Sequence, residues 1–132
     1  MVSSEYVKSI FSALATGDTE TFFNSVADNV SWRVTGTNNI LSGQYNSKAD
    51  FVSKTFTRLG KVLGGSVVLE LLSVLVEGDT AAVELKANGT AKNGYPFKNE
   101  YCWVCRFEGE KIVEVRAYLD SALVNKVLEE NE

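Results

Sequence analysis

Helical spacing of apolar residues dominates the first half of the chain. A serine at position 3 or 4 can cap a first helix, whose apolar face consists of Tyr6, Val7, Ile10, Phe11 and Leu14. Asp18 can cap a second, short helix. The side chains of this helix that point inward are Phe22, Phe23 and Val26. A third helix is predicted from a cap at Ser47 to about Val62, with an apolar stripe formed by Phe51, Val52, Phe56, Leu59 and Leu63.

Strand-like runs make up most of the second half. Strands are predicted over residues 30–35, 67–76, 81–91, 97–107 and 111–120. Asn93-Gly94 is a strong hairpin signal, and a short helix is predicted after Asp120. Helices early in the chain and antiparallel strands late predict an α+β domain over residues 1–132, in which a curved, mostly antiparallel sheet wraps around the N-terminal helices.

A β-hairpin is predicted over residues 99–120, with its turn at residues 108–110. If the turn has three residues, Phe107 pairs with Lys111. One face then carries Asn99, Tyr101, Trp103 and Cys105 together with Val113, Val115, Ala117 and Leu119. The other face carries Glu100, Cys102, Val104 and Arg106 together with Ile112, Glu114, Arg116 and Tyr118. A two-residue turn would shift the register by one; the three-residue turn is preferred because it gathers the charges on one side.

Composition and charge narrow the classes of function. The net charge of −4, without a basic tract, argues against nucleic acid as the main partner. No apolar run approaches the roughly 20 residues of a membrane span, and residues 1–5 lack the pattern of a signal peptide. We therefore expect a cytoplasmic protein with no membrane partner. The chain has no histidine, which excludes histidine-dependent catalysis and imidazole metal sites.

The two cysteines, Cys102 and Cys105, form a C-x-x-C pattern. Redox and zinc motifs of this type need both sulfurs to converge. Here the surrounding residues predict a strand, and residues three apart on a strand point to opposite faces. A second pair of ligands is also missing, so we interpret the cysteines as packing thiols and expect no metal site.

Several stretches together carry a family resemblance. They are Gly17-Asp18, residues 27–32, residues 42–45 before the third helix, and the closing hairpin, especially residues 111–114 and 116–120. In these stretches the chain resembles the SnoaL-like polyketide cyclase and ketosteroid isomerase superfamily, over nearly its whole length. The resemblance implies a cone-shaped fold of the nuclear transport factor two type, with an internal apolar pocket. It also implies a homodimer formed through the outer sheet face.

The residues that steroid isomerases of this superfamily use are absent here. Laying the chain along their pattern places Ile10 at the tyrosine of the first helix. Val34 or its neighbour falls at the aspartate base, and Trp103 falls at the second acidic group. A standard ketosteroid isomerase is therefore not expected, because the tyrosine, the aspartate base and the second acidic group are all lost.

The same alignment indicates other candidate site residues. Glu84 is the predicted general base or acid, because desolvation in a pocket would raise the pKa of its carboxyl group. Tyr101 or Asn99 could donate a hydrogen bond to a substrate oxyanion. The predicted substrate-binding residues are Trp32, Trp103, Asn88, Lys86, Tyr45 and Val34. Glu84 and Lys86 would instead form a solvent-facing pair if the faces of their strand are reversed.

These residues lead to one functional hypothesis and two alternatives. The first is an enzyme without metal or cofactor that isomerises or cyclises an apolar carbonyl or polycyclic substrate by proton transfer. The second is a binding protein in which the same pocket holds a small apolar molecule without turnover. The third is an accessory dimer in which side chains such as Trp32 and Trp103 fill the pocket.

Overall fold

Helices form where the apolar stripes predict them. In the computed structural model, which describes residues 1–132, α1 spans Ser4–Ala15, α2 spans Thr19–Phe23 and α5 spans Ser121–Asn131. The predicted third helix comprises α3 (Lys48–Phe51), a π-helical turn (Val52–Phe56) and α4 (Thr57–Val62). At four helix starts, the side chain of the N-cap residue accepts a hydrogen bond from the backbone N–H three residues on, at 3.1–3.2 Å. These N-cap residues are Ser3, Asp18, Ser47 and Asp120.

The main sheet has six strands in the order β2-β1-β8-β7-β4-β3. The strands are β1 (Val26–Val34), β2 (Gly43–Tyr45), β3 (Leu69–Glu77), β4 (Thr80–Ala87), β7 (Glu100–Glu108) and β8 (Lys111–Leu119). Only the pair β1 and β8 is parallel, so the α+β fold with a mostly antiparallel sheet is confirmed. No helix of the protein has the length and apolar character needed to cross a bilayer.

Three element boundaries differ from the sequence prediction. Val26 begins β1 instead of lying in α2, and β2 forms between the predicted strand over residues 30–35 and the third helix, where no strand is predicted. The predicted strand over residues 81–91 is broken after Ala87, whose N–H donates to the carbonyl oxygen of Asn99 at 2.8 Å. Beyond this break, β5 (Gly89–Thr90) pairs with β6 (Pro96–Phe97) in a separate two-stranded sheet.

The hairpin of β7 and β8 has a two-residue turn, so the predicted three-residue turn is wrong. Gly109 adopts a φ of +60°, which a glycine reaches without steric cost, and Glu108 pairs with Lys111. A register shift next to Phe107 then restores the predicted face for Tyr101, Trp103 and Cys105, which lie opposite Leu119, Ala117 and Val115. Ile112 moves to the core opposite Phe107 instead of joining the charged face.

The inner face of the sheet and the helices enclose one hydrophobic core. Large side chains fully buried in it include Trp32, Phe11, Phe22, Phe97 and Phe107. Cys105 is buried on this inner face, while Cys102 is half-buried on the outer face, and both thiols are free. The two cysteines are therefore not a converging pair, and the interpretation as packing thiols is consistent with their placement.

Candidate functional site

An apolar cavity lies between the inner face of the sheet and the helical stretch from α3 to α4. Thirteen of its fourteen lining residues are hydrophobic. The sheet contributes Trp32, Val34, Leu69, Tyr101, Trp103, Ala117 and Leu119, and the helices contribute Phe51, Thr55, Phe56, Leu59 and Val124. The cavity is small: the space open to the centre of a water molecule is about 40 Å³. A polycyclic ligand would need surrounding side chains or elements to move.

Trp32 stands in the cavity wall among other aromatic side chains. Its ring is fully buried, stacks on Phe51 with centroids 3.8 Å apart and meets Trp103 edge to face at 5.2 Å. The indole Nε1 is buried without a hydrogen-bond acceptor. An unpaired buried donor costs about 1–3 kcal/mol.

Tyr101 is the only titratable side chain in the cavity wall. Burial raises the pKa of its phenol, and a hydrogen bond from the Asn99 side chain opposes this shift in part. Tyr101 therefore remains protonated at neutral pH and acts as a hydrogen-bond donor. No carboxylate, lysine or cysteine lines the cavity, so no wall residue is suited to accept a proton at neutral pH.

Asn99 supports Tyr101 from behind and also holds the start of α5. It is fully buried, its Oδ1 accepts from the N–H of Asp120 at 3.0 Å, and its Nδ2 donates to the carbonyl oxygen of Asp120 at 3.4 Å. These two contacts fix which end of the amide is the donor. Asn99 is thus a positioning residue and does not line the cavity as the sequence predicted.

The π-helical turn and the residue before it supply three residues that line the cavity: Phe51, Thr55 and Phe56. In an α-helix, Phe56 would lie about 140° around the axis from Phe51, because each residue turns by about 100°. The hydrogen bonds of a π-helix join residues five apart, so Phe56 returns to the side of Phe51. Thr55 also faces the cavity, and its hydroxyl donates to the Phe51 carbonyl oxygen at 2.7 Å.

Glu84 does not face the cavity, and that prediction is wrong. In the register between β4 and β7, Val83 lies opposite Trp103 and Leu85 lies opposite Tyr101, so the odd-numbered side chains of β4 point inward. Glu84 is exposed on the outer face, where its carboxylate accepts from the Ser73 hydroxyl at 2.5 Å.

The remaining predicted site residues divide into two groups. Lys86 lies on the same outer face as Glu84, opposite Glu100, and Asn88 is exposed with its amide donating to Glu70 at 3.0 Å. Their predicted pocket positions are also wrong. By contrast, four of the predicted site residues do line the cavity: Trp32, Val34, Tyr101 and Trp103.

Tyr45 lies directly outside the wall. Its hydroxyl donates to the carbonyl oxygen of Leu41 at 2.7 Å, and its ring meets Phe51 edge to face at 5.7 Å. It therefore supports two lining residues, Leu41 and Phe51, without reaching the cavity itself.

Sequence reasoning missed Thr55 as a lining residue, because a single threonine beside an apolar stripe carries no signal for a π-turn.

Helix α5 covers the cavity on its remaining side through Val124. Polar contacts anchor it to two other parts of the chain. Asn125 Oδ1 accepts from the N–H of Ile40 at 2.7 Å. Farther along the chain, Glu132 forms two hydrogen bonds with the Arg58 guanidinium, at 2.6 and 2.7 Å. The cover is thus tied to the loop before β2 and to α4.

Comparison with known proteins identifies the class. Residues 7–115 match the family described as the SnoaL-like domain, and the chain belongs to this family. Solved structures similar to this chain are described as NTF2-like and as having a ketosteroid isomerase-like fold. The expected family and its fold are therefore confirmed.

Three relatives illustrate the range of similarity. The dimerizing cyclase phiC of a fungal species is 29% identical over 135 residues, which cover 99% of this chain but 59% of phiC. A protein of unknown function from Xanthomonas campestris is 28% identical, with a TM-score of 0.79 and coverage of 97% and 98% of the two chains. TerC, crystallised with polyporic acid, has a TM-score of 0.74 at 17% identity, with coverage of 95% and 96%.

Proposed function

We propose that this protein is a small-molecule enzyme that binds an apolar carbonyl compound in the cavity and promotes its isomerisation or cyclisation. The observation that carries this proposal is an apolar cavity whose lining residues include Tyr101, which stays protonated, and Trp32, whose indole N–H has no acceptor. Both would donate to the carbonyl oxygen. Their stabilisation grows as negative charge develops on that oxygen during enolisation or ring closure.

The proposal differs from the sequence hypothesis in how the proton moves. Glu84 is on the outer face, and the wall offers no carboxylate to replace it. Deprotonation would then fall to solvent, which favours substrates that enolise readily. The wall contributes oxygen stabilisation and the alignment of the reacting atoms.

The relatives support a cyclase-like activity. The similarity to phiC, described as a dimerizing cyclase, extends over 99% of this chain, although the chain spans only 59% of the length of phiC. TerC, which shares the fold, was crystallised with polyporic acid. Both are consistent with a cavity that takes small organic molecules.

Binding can be tested with the protein's own fluorescence, because its two tryptophans both line the cavity. We expect an aromatic ketone such as acetophenone to quench this fluorescence at lower concentration than ethylbenzene, which lacks the oxygen. Tyr101→Phe should weaken ketone binding about five- to tenfold, the value of one neutral hydrogen bond. Tyr118→Phe, on the outer face, is the matched control. Equal binding of both compounds, or an unchanged Tyr101→Phe, would refute the proposed contact.

Turnover is tested separately with flexible 1,3-dicarbonyl compounds. Mass spectrometry detects the products, and the exchange of protons at carbon detects enolisation. Loss of one oxyanion donor should reduce the rate about 10²–10³-fold, so Tyr101→Phe should be strongly impaired. Recovery of every bound compound unchanged, without exchange, would favour the second candidate, a binding protein. The absence of an ionisable wall residue other than Tyr101 favours that candidate.

We also propose that two copies of the chain pair through the outer face of the sheet. On the outer face, Leu72 and Leu75 of the edge strand β3 and Tyr118 of β8 are 47%, 71% and 45% exposed. Strands β4 and β7 lie between them, and the same face carries Glu84 and Arg116. A two-fold axis would let the apolar side chains meet and opposite charges face each other. Sedimentation should then give twice the 14.5 kDa of one chain, and Leu75→Arg should return the monomer mass. A monomeric native chain would exclude this pairing.

A further inference from the structure

A groove lies on the surface between α2 and the helical stretch from α3 to α4. The space in it that is open to the centre of a water molecule is about 210 Å³, against about 40 Å³ in the internal cavity. Exposed polar residues, among them Thr57 and Lys61, form part of its lining. Its apolar lining residues are Phe23, Val52, Phe56 and Val67. Solvent therefore reaches a partly apolar surface there.

Two residues line both this groove and the internal cavity. They are Phe56 of the π-helical turn and Val67. Phe56 is half-buried, and Val67 is buried. Since a residue that lines two spaces forms part of the wall between them, the cavity is separated from the groove by a single layer of side chains at this place.

No hydrogen bond holds the ring of Phe56 in this wall. The ring meets Phe23 edge to face with centroids 5.3 Å apart, and its centroid lies 5.8 Å from that of Phe51 and 6.1 Å from that of Trp103. Rotation of the side chain breaks these aromatic contacts only. The groove on one side of the ring offers the space into which it can turn.

The other residue of this wall belongs to an irregular segment. Val67 lies between the end of α4 and the start of β3, outside every helix and strand, and its backbone takes part in no strand pairing. Gly64 and Gly65 precede it with φ of +85° and +135°, a region that favours glycine. A shift of Val67 therefore leaves the sheet intact.

A second place where the wall is a single layer is held more firmly. Tyr101 and Leu119 line both the cavity and another groove, on the outer face of the sheet. They lie opposite each other in the pairing of β7 with β8, so their backbones cannot move apart without disrupting the sheet. A hydrogen bond with Asn99 also holds the Tyr101 side chain. The wall is therefore easier to open at Phe56.

We propose that the groove beside α2 is the mouth of the cavity and that the ring of Phe56 is its gate. When the ring turns aside, the groove and the cavity become one site, which has the room for a ligand that the closed cavity lacks. A molecule that passes Phe56 and Val67 leaves water for an apolar passage, so the gate admits neutral molecules and excludes ions. The inference rests on the proposed function only in taking the cavity as the place where a ligand binds.

The tryptophans report on passage through the gate, because the chain has two and both line the cavity. The measured quantity is the quenching of their fluorescence lifetime by acrylamide, a small neutral molecule, and by iodide, an anion. Phe56→Ala should raise the acrylamide quenching constant about fivefold, the factor that corresponds to the loss of one aromatic contact. Iodide should quench this variant as weakly as it quenches the native protein.

Three further variants locate the passage. Val67→Ala should also raise acrylamide quenching, and it tests the mouth if Phe56→Ala does not fold. Leu119→Ala shortens a cavity-lining side chain at the outer face and should have a smaller effect. Val52→Ala, which changes the groove but not the cavity wall, is the matched control and should behave as the native protein does. Circular dichroism verifies the fold of each variant.

The outcomes separate this inference from the proposed function. Unchanged acrylamide quenching in Phe56→Ala and Val67→Ala would overturn the mouth, and so would an equal rise in Leu119→Ala, because loss of packing alone would then explain the result. A parallel rise with iodide would also overturn it, because general loosening of the fold admits ions. If the variants behave as expected and no ketone binds the native protein, the mouth stands and the proposed function fails.

Discussion

Replacement of Asn99 by alanine should destabilise the protein more than any other asparagine substitution on the sheet. The buried amide accepts from the Asp120 N–H at 3.0 Å, donates to the Asp120 carbonyl oxygen at 3.4 Å and hydrogen-bonds to Tyr101. Asn99→Ala removes all three contacts and leaves the Tyr101 hydroxyl and the first residue of the α5 cap without their partner.

The magnitude follows from these contacts. A neutral hydrogen bond contributes about 1 kcal/mol net, and the 3.4 Å contact is long, so the free energy of unfolding should fall by about 2–3 kcal/mol. For 132 residues, an unfolding entropy of about 2.1 cal/mol/K per residue amounts to about 0.28 kcal/mol/K. The expected decrease in Tm is therefore about 7–11 °C.

Differential scanning calorimetry measures this decrease directly. The matched control is Asn88→Ala, which removes an exposed asparagine near the end of the neighbouring strand, with one surface contact to Glu70. A surface substitution of this kind changes stability by about 0.5 kcal/mol or less, or under about 2 °C. If Asn99→Ala lowers Tm no more than the control, then the amide does not hold β7 to the start of α5.

Three further predictions test separate features. Glu84→Gln should leave ketone affinity unchanged, because the carboxylate lies on the outer face; a tenfold loss would show that it reaches the cavity. Iodoacetamide should alkylate Cys102 in the folded protein and Cys105 only after unfolding, because burial raises the pKa of the Cys105 thiol and closes access to it; equal labelling would contradict their placement. Hydrogen bonding to Arg58 lowers the pKa of Glu132 from 4.5, so the contact stabilises the fold above this pH and is lost as the pH falls through the folded value. The difference in Tm between the native protein and Glu132→Gln should accordingly shrink from neutral pH to about pH 3, and a constant difference would exclude the ionic contribution.

The periodicity of the chain was sufficient to predict most of the fold. Apolar spacing located α1 and the helical stretch after Ser47, because one buried face is needed for either to pack. The faces of the hairpin were also correct for Tyr101 and Trp103. The turn was not, but the register shift beside Phe107 compensated for the shorter turn and kept the same side chains inward.

The candidate site was harder to predict because its residues depend on register between strands. Alignment with the family pattern predicts Glu84 in the pocket, although the apolar alternation of Val83 and Leu85 indicates that Glu84 lies on the opposite face. One residue of displacement reverses every side chain of a strand. The place of Thr55 in the cavity wall could not be predicted either, because the π-helical turn that contains it carries no local sequence signal.

The strand order has a consequence for the folding of the chain. Strand β8 lies between β1 and β7, so the N-terminal pair β1 and β2 cannot join the rest of the sheet until residues 111–119 are available. A nascent chain without them would expose unpaired strand edges on two separate pieces, which favours aggregation. Trp32 belongs to one piece and Trp103 to the other. During synthesis, the approach of these two indoles should therefore report the insertion of β8, and this late, long-range step should make folding slow.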